Sequence, residues 1–311
     1  MKIKFSDDLS QQEIYAVGTE LATVMGYDKD ENGKRIYSHP DTQQELVTIL
    51  NNPVLMTDRY KIMQIADYPK RIATEILQTK AERILEYDWF TMKWNNSNQY
   101  PGMWFPSIDT VFLCSCLQQE DFSSAKKIAE IWSWPGFIWK YIKYKHPTVE
   151  SLLLNDINPS AQKYFEETNQ DPQAKFLLQD GKELLNQEKF DFVFCNPPYV
   201  PRPKSIDDNP YEWLSLVIHM LTSIKSFLNQ WGSLVLALPN LVDEILQPFM
   251  DEQEMKIEEL WRKEVPLKVS NILMNKERLS YLTEQAWLKE EEKDGYKYRQ
   301  TIKIIKFTPK Q

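Results

Sequence analysis

Glycine is scarce in this chain. Among 311 residues there are 8 glycines and 10 tryptophans, where ordinary usage of about 7% would supply roughly 22 glycines. Gly-rich linkers and low-complexity tracts are thereby excluded. Few positions are left for the left-handed backbone that glycine adopts without cost. Cysteine is also rare. Cys114, Cys116 and Cys195 are too few for a disulfide framework, and Cys114-Ser115-Cys116 is too short for a standard zinc pair. The three histidines, His39, His146 and His219, show no ligand spacing, so no metal site is expected. No uncharged apolar run is long enough to cross a bilayer, and no apolar leader opens the chain. A reducing cytosol is the expected setting, with neither secretion nor membrane insertion. Positive charge is not in excess either. Lys and Arg number 37 against 45 Asp and Glu, a net charge of −8. This works against broad binding to a phosphate backbone but leaves room for a local basic patch.

What is present is organised around residues 190–203, F-D-F-V-F-C-N-P-P-Y-V-P-R-P. Phe190 to Cys195 is an apolar, β-prone run interrupted only by Asp191, and it reads as a buried strand. Asn196-Pro197-Pro198-Tyr199 ends it, because consecutive prolines cannot continue a sheet ladder and hold the backbone extended. An asparagine thus stands at the carboxyl end of a central strand, where ligands bind in open α/β sheets. An amide or aryl amine nitrogen is a poor nucleophile because its lone pair is delocalised. Accepting hydrogen bonds from its N–H groups and holding it in line would assist reaction. Asn196 offers its side-chain oxygen and Pro197 a carbonyl that no N–H at Pro198 competes for. Tyr199 offers a face for a planar group.

Residues 1–98 read as a small, mainly helical domain. Ile14, Val17, Leu21 and Val24 have helical spacing, a helix start precedes Leu46, and residues 60–87 hold further helical pattern. Asp28 to Gly33 reads as a solvated turn and not a calcium loop, because it lacks the terminal glutamate. Asn95 to Phe105 is dense in turn residues and reads as a linker. From residue 99 strands and helices alternate: strands at 127–131, 151–156, 175–178, 190–195 and 233–238, and helices at 111–117, 137–145, 160–168 and 213–228. Residues 296–307 form a closing strand. This repetition predicts an α/β fold with a doubly wound, mostly parallel sheet. Residues 267–293 read as a charged, helix-prone insertion.

Acids fall where the strands end. Glu130 lies at the end of the first, Asp156 closes the second, Asp180 follows the third and Asn196 the fourth. An acid at the end of the second strand can accept both hydroxyls of a ribose. An acid after the third can meet an adenine amine, and Glu130 can hold a cationic amino group. On these residues, Pro106 to Phe307 resembles a class I S-adenosylmethionine-dependent methyltransferase of the N-P-P-Y group, most closely the HemK/PrmC-like N5-glutamine methyltransferases that modify peptide-chain release factors. The resemblance implies a Rossmann-like seven-stranded sheet with an antiparallel last strand and a helical N-terminal domain that docks a protein substrate. It implies S-adenosyl-L-methionine as cofactor, Asp156 on its ribose and Asp180 near its adenine. Pro106 to Thr110 falls where that family has P-R-P-E-T lining the cofactor pocket, with Pro106 and Thr110 matching and Asp109 replacing the glutamate. The net charge of −8 and the Pro106 to Thr110 segment favour a protein as substrate, and a cytoplasmic, monomeric enzyme is expected.

The chain departs from the family in the loop after the first strand. An acid-x-Gly-x-Gly-x-Gly pattern becomes Glu130-Ile131-Trp132-Ser133-Trp134-Pro135-Gly136, with Trp139 where a small residue is common. An indole covers on the order of 200 Å² and would fill the space meant for the methionine end of the cofactor. Two readings remain open: a relative that has lost its cofactor, or glycine codons rendered as tryptophan, as at Trp231 before Gly232. Trp89 reads as a core aromatic. N-P-P-Y does not separate a glutamine amide from an adenine or cytosine amine. Lys140, Lys143, Lys145, Arg202, Lys204 and residues 296–299 (Y-K-Y-R) leave a nucleic-acid substrate as the runner-up.

Overall fold

The computed structural model describes residues 2–5, 54–55, 83–94, 100, 106, 108–134, 136–202, 214–267, 276–285, 287–293 and 296–310. The chain divides into two compact units. The first comprises Met1–Pro101, Pro266–Leu279 and Lys289–Arg299; the second comprises Gly102–Val265, Ser280–Leu288 and Gln300–Gln311.

The first unit contains a four-stranded sheet of order β2-β1-β3-β4, made of β1 (Lys2–Phe5), β2 (Val54–Leu55), β3 (Arg83–Tyr87) and β4 (Phe90–Trp94). All three pairings are antiparallel. The helices expected near residues 11–25 and 41–50 lie outside the described residues. The helical pattern expected over 60–87 gives way at its end to strand β3. Ile, Tyr, Phe, Thr and Trp in the two facing strands suit a pleated surface better than a helix. The β3–β4 hairpin closes through Asp88 and Trp89, with Tyr87 opposite Phe90. Both turn residues have positive φ, 47° and 65°, as in the type I′ turn that favours Asp-Gly. Trp89 is therefore no core aromatic: it is 93% exposed. Trp89→Gly is expected to stabilise the protein by about 1 kcal/mol, the cost of a side chain in left-handed backbone. A higher urea midpoint at unchanged m-value would register it.

The second unit is built on a mostly parallel sheet with strand order β10-β12-β9-β8-β5-β6-β7. Its strands are β5 (Ile128–Ile131), β6 (Leu152–Asp156), β7 (Ala174–Leu178), β8 (Phe190–Cys195), β9 (Leu228–Pro239), β10 (Met255–Pro266) and, after the short β11 (Glu290–Lys293), β12 (Tyr296–Pro309). Neighbours from β7 across to β9 run parallel, and β12 is antiparallel to β9. The doubly wound expectation holds, and so does the antiparallel last strand. Each strand read from the alternation of period lies within a few residues of its place. Strand β10 escaped that reading because its sequence, M-K-I-E-E-L-W-R-K-E-V-P, is charged and mostly exposed. It is the edge strand of the sheet, where charge discourages further pairing. The helices Gly181–Gln187 and Asp243–Asp251 were also not expected. Where one helix is expected over 213–228, two short helices form, Ser215–Thr222 and Ile224–Phe227.

Strand β8 sits at the centre, buried along its length apart from Asp191. That acid accepts the backbone N–H groups of Lys126 at 2.8 Å and Lys127 at 2.9 Å, and the Asn229 side-chain amide at 2.7 Å. A charge inside an apolar run is thus used to tie β8 to the start of β5. The register then sets the site. Ile131 at the end of β5 pairs with Asn155 on one side and Cys195 on the other. The loop after β5, the end of β6 and Asn196 after β8 therefore open at one level, at the point where strand order reverses.

Candidate cofactor and substrate site

The loop after β5 is held by its backbone. Ser133 N–H donates to the Asn155 carbonyl at 2.9 Å and Gly136 N–H to the Ser133 carbonyl at 2.8 Å. Trp134 N–H donates to Asp156 Oδ2 at 3.0 Å, and Trp139 N–H donates to Glu130 Oε2 at 3.1 Å. The other oxygen of Asp156 accepts the Asn158 N–H at 2.8 Å. Asn155 clamps the neighbouring strand by donating to the Leu177 and Gln179 carbonyls at 3.1 and 2.9 Å. Gly136 is needed where it stands. Its φ is +71°, and a Cβ there would lie 2.3 Å from the Trp139 indole nitrogen.

Two carboxylates are buried together. Glu130 is 1% exposed and Asp156 3%. Burial, and secondarily the Asp156 charge, holds Glu130 well above the usual carboxylate range. Burial likewise raises Asp156 to about 6, against hydrogen bonds from Asn158 and Trp134 that pull it down. Such a pair is arranged to meet a cation or hydroxyl donors, which would relieve the desolvation of the charged forms.

Asn196 is oriented from a distant part of the chain. Its Nδ2 donates to Thr110 Oγ1 at 3.2 Å. The Thr110 N–H in turn donates to Asp109 Oδ1 at 2.9 Å, and the Tyr199 hydroxyl donates to Asp109 Oδ2. With Nδ2 committed to Thr110, Oδ1 is turned away from it, and it is buried with no partner among the described residues. Ser133 Oγ is in the same condition. A buried acceptor left without a donor is costly, and both residues line one cavity.

That cavity is bounded by Pro106, Thr110, Glu130, Ser133 and Asn196, with Trp132 and Trp134 across it. The structure thus brings together Thr110, Glu130, Trp132, Trp134 and Asn196, all singled out by sequence. Asp156 joins them through the Trp134 N–H, and Gly136 lies behind, against Trp139. Tyr199 does not line the cavity. Its ring is 5% exposed and its hydroxyl is spent on Asp109. Pro197 and Pro198 are buried beside it. Asp180 caps the helix Gly181–Gln187, accepting the Lys182 N–H at 2.9 Å, with the Lys182 ammonium 3.4 Å from its other oxygen. The role of Asp109 as a tether was not legible in sequence; its only signal was its match to an acid in the likened segment. Tyr199→Phe is expected to cost about 1–3 kcal/mol, because Asp109 keeps its burial and its Oδ2 loses the Tyr199 hydroxyl. Chemical denaturation would measure the loss, and an unchanged midpoint would show that the tether carries no stability.

Parallel strands, a switch-point cavity and paired acids at the strand ends give the chain a Rossmann-like α/β site. Residues 107–250, a stretch that includes Thr110, Glu130, Asp156 and Asn196, match the family model "MTS: Methyltransferase small domain". No curated protein matches the chain. Among solved structures, ribosomal protein L11 methylase from Lactobacillus delbrueckii subsp. bulgaricus is 12% identical, with a TM-score of 0.41, over 66% of this chain and 81% of its own. Trm5b from Pyrococcus abyssi is 14% identical at a TM-score of 0.45, over 73% and 56% of the two chains. The N-methyltransferase NodS from Bradyrhizobium japonicum, in complex with S-adenosyl-L-homocysteine, is 13% identical at 0.39, over 63% and 86%.

The fit of S-adenosyl-L-methionine, the cofactor that the sequence resemblance implies, is divided. Glu130, Asp156 and the partnerless Ser133 Oγ suit an ammonium and hydroxyl-bearing ligand. The indoles of Trp132 and Trp134, their ring centroids 6.1 Å apart, do not. The cavity between them admits about 20 Å³, which is space for a single water. With tryptophan at both positions the residues present do not fit the cofactor.

Proposed function

We propose that this protein is an N-methyltransferase whose substrate is a planar amide or amine nitrogen, and that the substrate is the glutamine side chain of a protein of the release-factor type. The observation that supports this is the partnerless buried Oδ1 of Asn196 at the cavity wall. It is an acceptor held in place with no donor among the described residues. An NH₂ group of the substrate would donate one N–H to it and the other to the Pro197 carbonyl, for which Pro198 supplies no competing donor. Thr110 keeps the amide from turning over, and Asp109 with Tyr199 keeps the turn itself in place. The chain's contribution is orientation in a dry site.

A nucleic-acid amine is the second reading, and its basic helix face is poorly placed to support it. Lys140 is half-buried against Thr168 and the Tyr164 ring, and burial lowers its ammonium from the usual range. Lys143 donates to the Val149 carbonyl and the Gln173 side chain. Arg202 is 8% exposed. Groups already committed inside the protein release few counterions on meeting a phosphate backbone. No helix among the described residues is long and apolar enough to cross a membrane.

The test is transfer of a tritiated methyl group by protein carrying Trp132→Gly with Trp134→Gly, offered release factor, ribosomal RNA and DNA side by side. Label on a glutamine of the release factor is expected. Label confined to RNA or DNA would replace the protein substrate with the second reading, and label in none of the three would remove both.

A further inference from the structure

We propose that positions 89, 132 and 134 are glycine in the polypeptide made by the cell from which the gene comes, each specified by a UGA codon which that cell reads as glycine, and that the loop after β5 then opens to S-adenosyl-L-methionine. The second clause rests on the function proposed above; the first does not.

The backbone carries the argument. Among the described residues four non-glycine residues have positive φ: Asp88, Trp89, Trp132 and Trp134. Aspartate belongs to the few residue types enriched there, whereas a bulky aromatic is an outlier. The other three are all tryptophan, a residue that makes up 10 of 311. Each stands at a place where the fold asks for glycine on independent grounds. Trp89 is the second central residue of a two-residue hairpin turn, the position that takes glycine in Asp-Gly. Its ring is 93% exposed, so no packing compensates the strain. Trp132 at φ 63° and Trp134 at φ 49° alternate with Gly136 at φ 71°, so every second residue of the loop is left-handed and the last is already glycine. Their rings line a cavity at the switch point of the sheet, whose walls carry acceptors on Ser133 and Asn196 without a partner among the described residues.

Two other tryptophans make the contacts usual for the residue. Trp287 donates its indole N–H to Glu244 at 3.0 Å, and the Trp261 ring lies with its centroid 3.7 Å from that of Phe112. Trp231 lies within strand β9 and is not among the positive-φ residues; it lacks the backbone signature.

Glycine and tryptophan share neither size nor chemistry, so one is no surrogate for the other in a tight turn. They are related through the code. UGA differs by one base from a glycine codon and by one base from the tryptophan codon. It is read as glycine in some bacteria and as tryptophan under another common alternative table. A gene of the first kind translated by the second table gains tryptophan wherever a UGA glycine stood. The depletion of glycine, 8 residues where roughly 22 are usual, runs in the same direction.

Two measurements test this. The first is the gene sequence at codons 89, 132, 134 and 287, with peptide masses of the protein purified from its own cell. TGA at the first three, TGG at 287 and glycine masses at 89, 132 and 134 are expected. TGG at 132 and 134, or tryptophan masses there, overturns the proposal outright. The second is calorimetry with S-adenosyl-L-methionine on the chain as written and on the Trp132→Gly, Trp134→Gly protein, each checked for cooperative unfolding. At least a 100-fold gain in affinity is expected. Glycine masses combined with no gain would uphold the decoding and overturn the cofactor role of the loop, and with it the function proposed above.

Discussion

Asn196→Ala, made in protein carrying glycine at 132 and 134, is expected to lower kcat for methyl transfer by about 10²- to 10³-fold, the usual cost of removing one preorganised polar partner from a dry site. KM for the nitrogen substrate should rise modestly, and cofactor affinity measured by calorimetry should stay within a few-fold. The argument is geometric. Oδ1 is the atom left over once Nδ2 has been given to Thr110, and no described residue supplies it a donor. Alanine removes the acceptor but leaves Asp109, Thr110 and Tyr199 tied to one another, so the turn should survive and folding is not the readout. Turnover at the parent rate would strip Asn196 of the role proposed for it.

Between about pH 4 and pH 7 the parent is expected to lose about 3 kcal/mol of stability through Asp156 alone, and Asp156→Asn should abolish that loss. The carboxyl titrates from an ordinary 3.8 to about 6 in the folded state. The native state thus binds the proton more tightly than the unfolded chain. The stabilisation is fully present below pH 3.8 and is lost as pH rises through 6. Two pH units at about 1.4 kcal/mol each give the magnitude. Asparagine cannot accept both the Trp134 and Asn158 N–H groups, so the variant also carries a fixed penalty of about 1–3 kcal/mol. That penalty does not depend on pH. The readout is the change in the stability difference with pH, which should swing by about 3 kcal/mol in the variant's favour. Glu130 is raised chiefly by burial, which the variant retains; only the smaller contribution of the Asp156 charge is lost with the substitution. Parallel urea-derived stability curves would show that Asp156 stays charged in the fold without cost.

The sheet was legible because its signals are local. The strand at 190–195, the alternation that surrounds it and the proline pair that stops it can each be read within a dozen residues. The misfit of the loop after β5 was legible too, since Trp132 and Trp134 are too large for the space that the methionine end of the implied cofactor needs. Strand β10 was not, because an exposed edge strand carries charges that imitate a helical surface. The strands of the first unit were hidden for a related reason: a hairpin at 83–94 is decided by pairing across its turn more than by the period of either arm.

By itself the sequence determined the parallel sheet, the place of Asn196 at a central strand's end and the acids beside it, because periodicity and chain-breaking residues act over short distances. Tertiary structure alone decided which oxygen of the Asn196 amide is left for a ligand, since the deciding donor–acceptor pair joins residues 86 positions apart. It alone turned Asp180 into a helix cap and Tyr199 into a tethered core residue. It also supplied the sign of φ at 89, 132 and 134, because backbone handedness is imposed by what the chain must connect and leaves no mark on side-chain pattern.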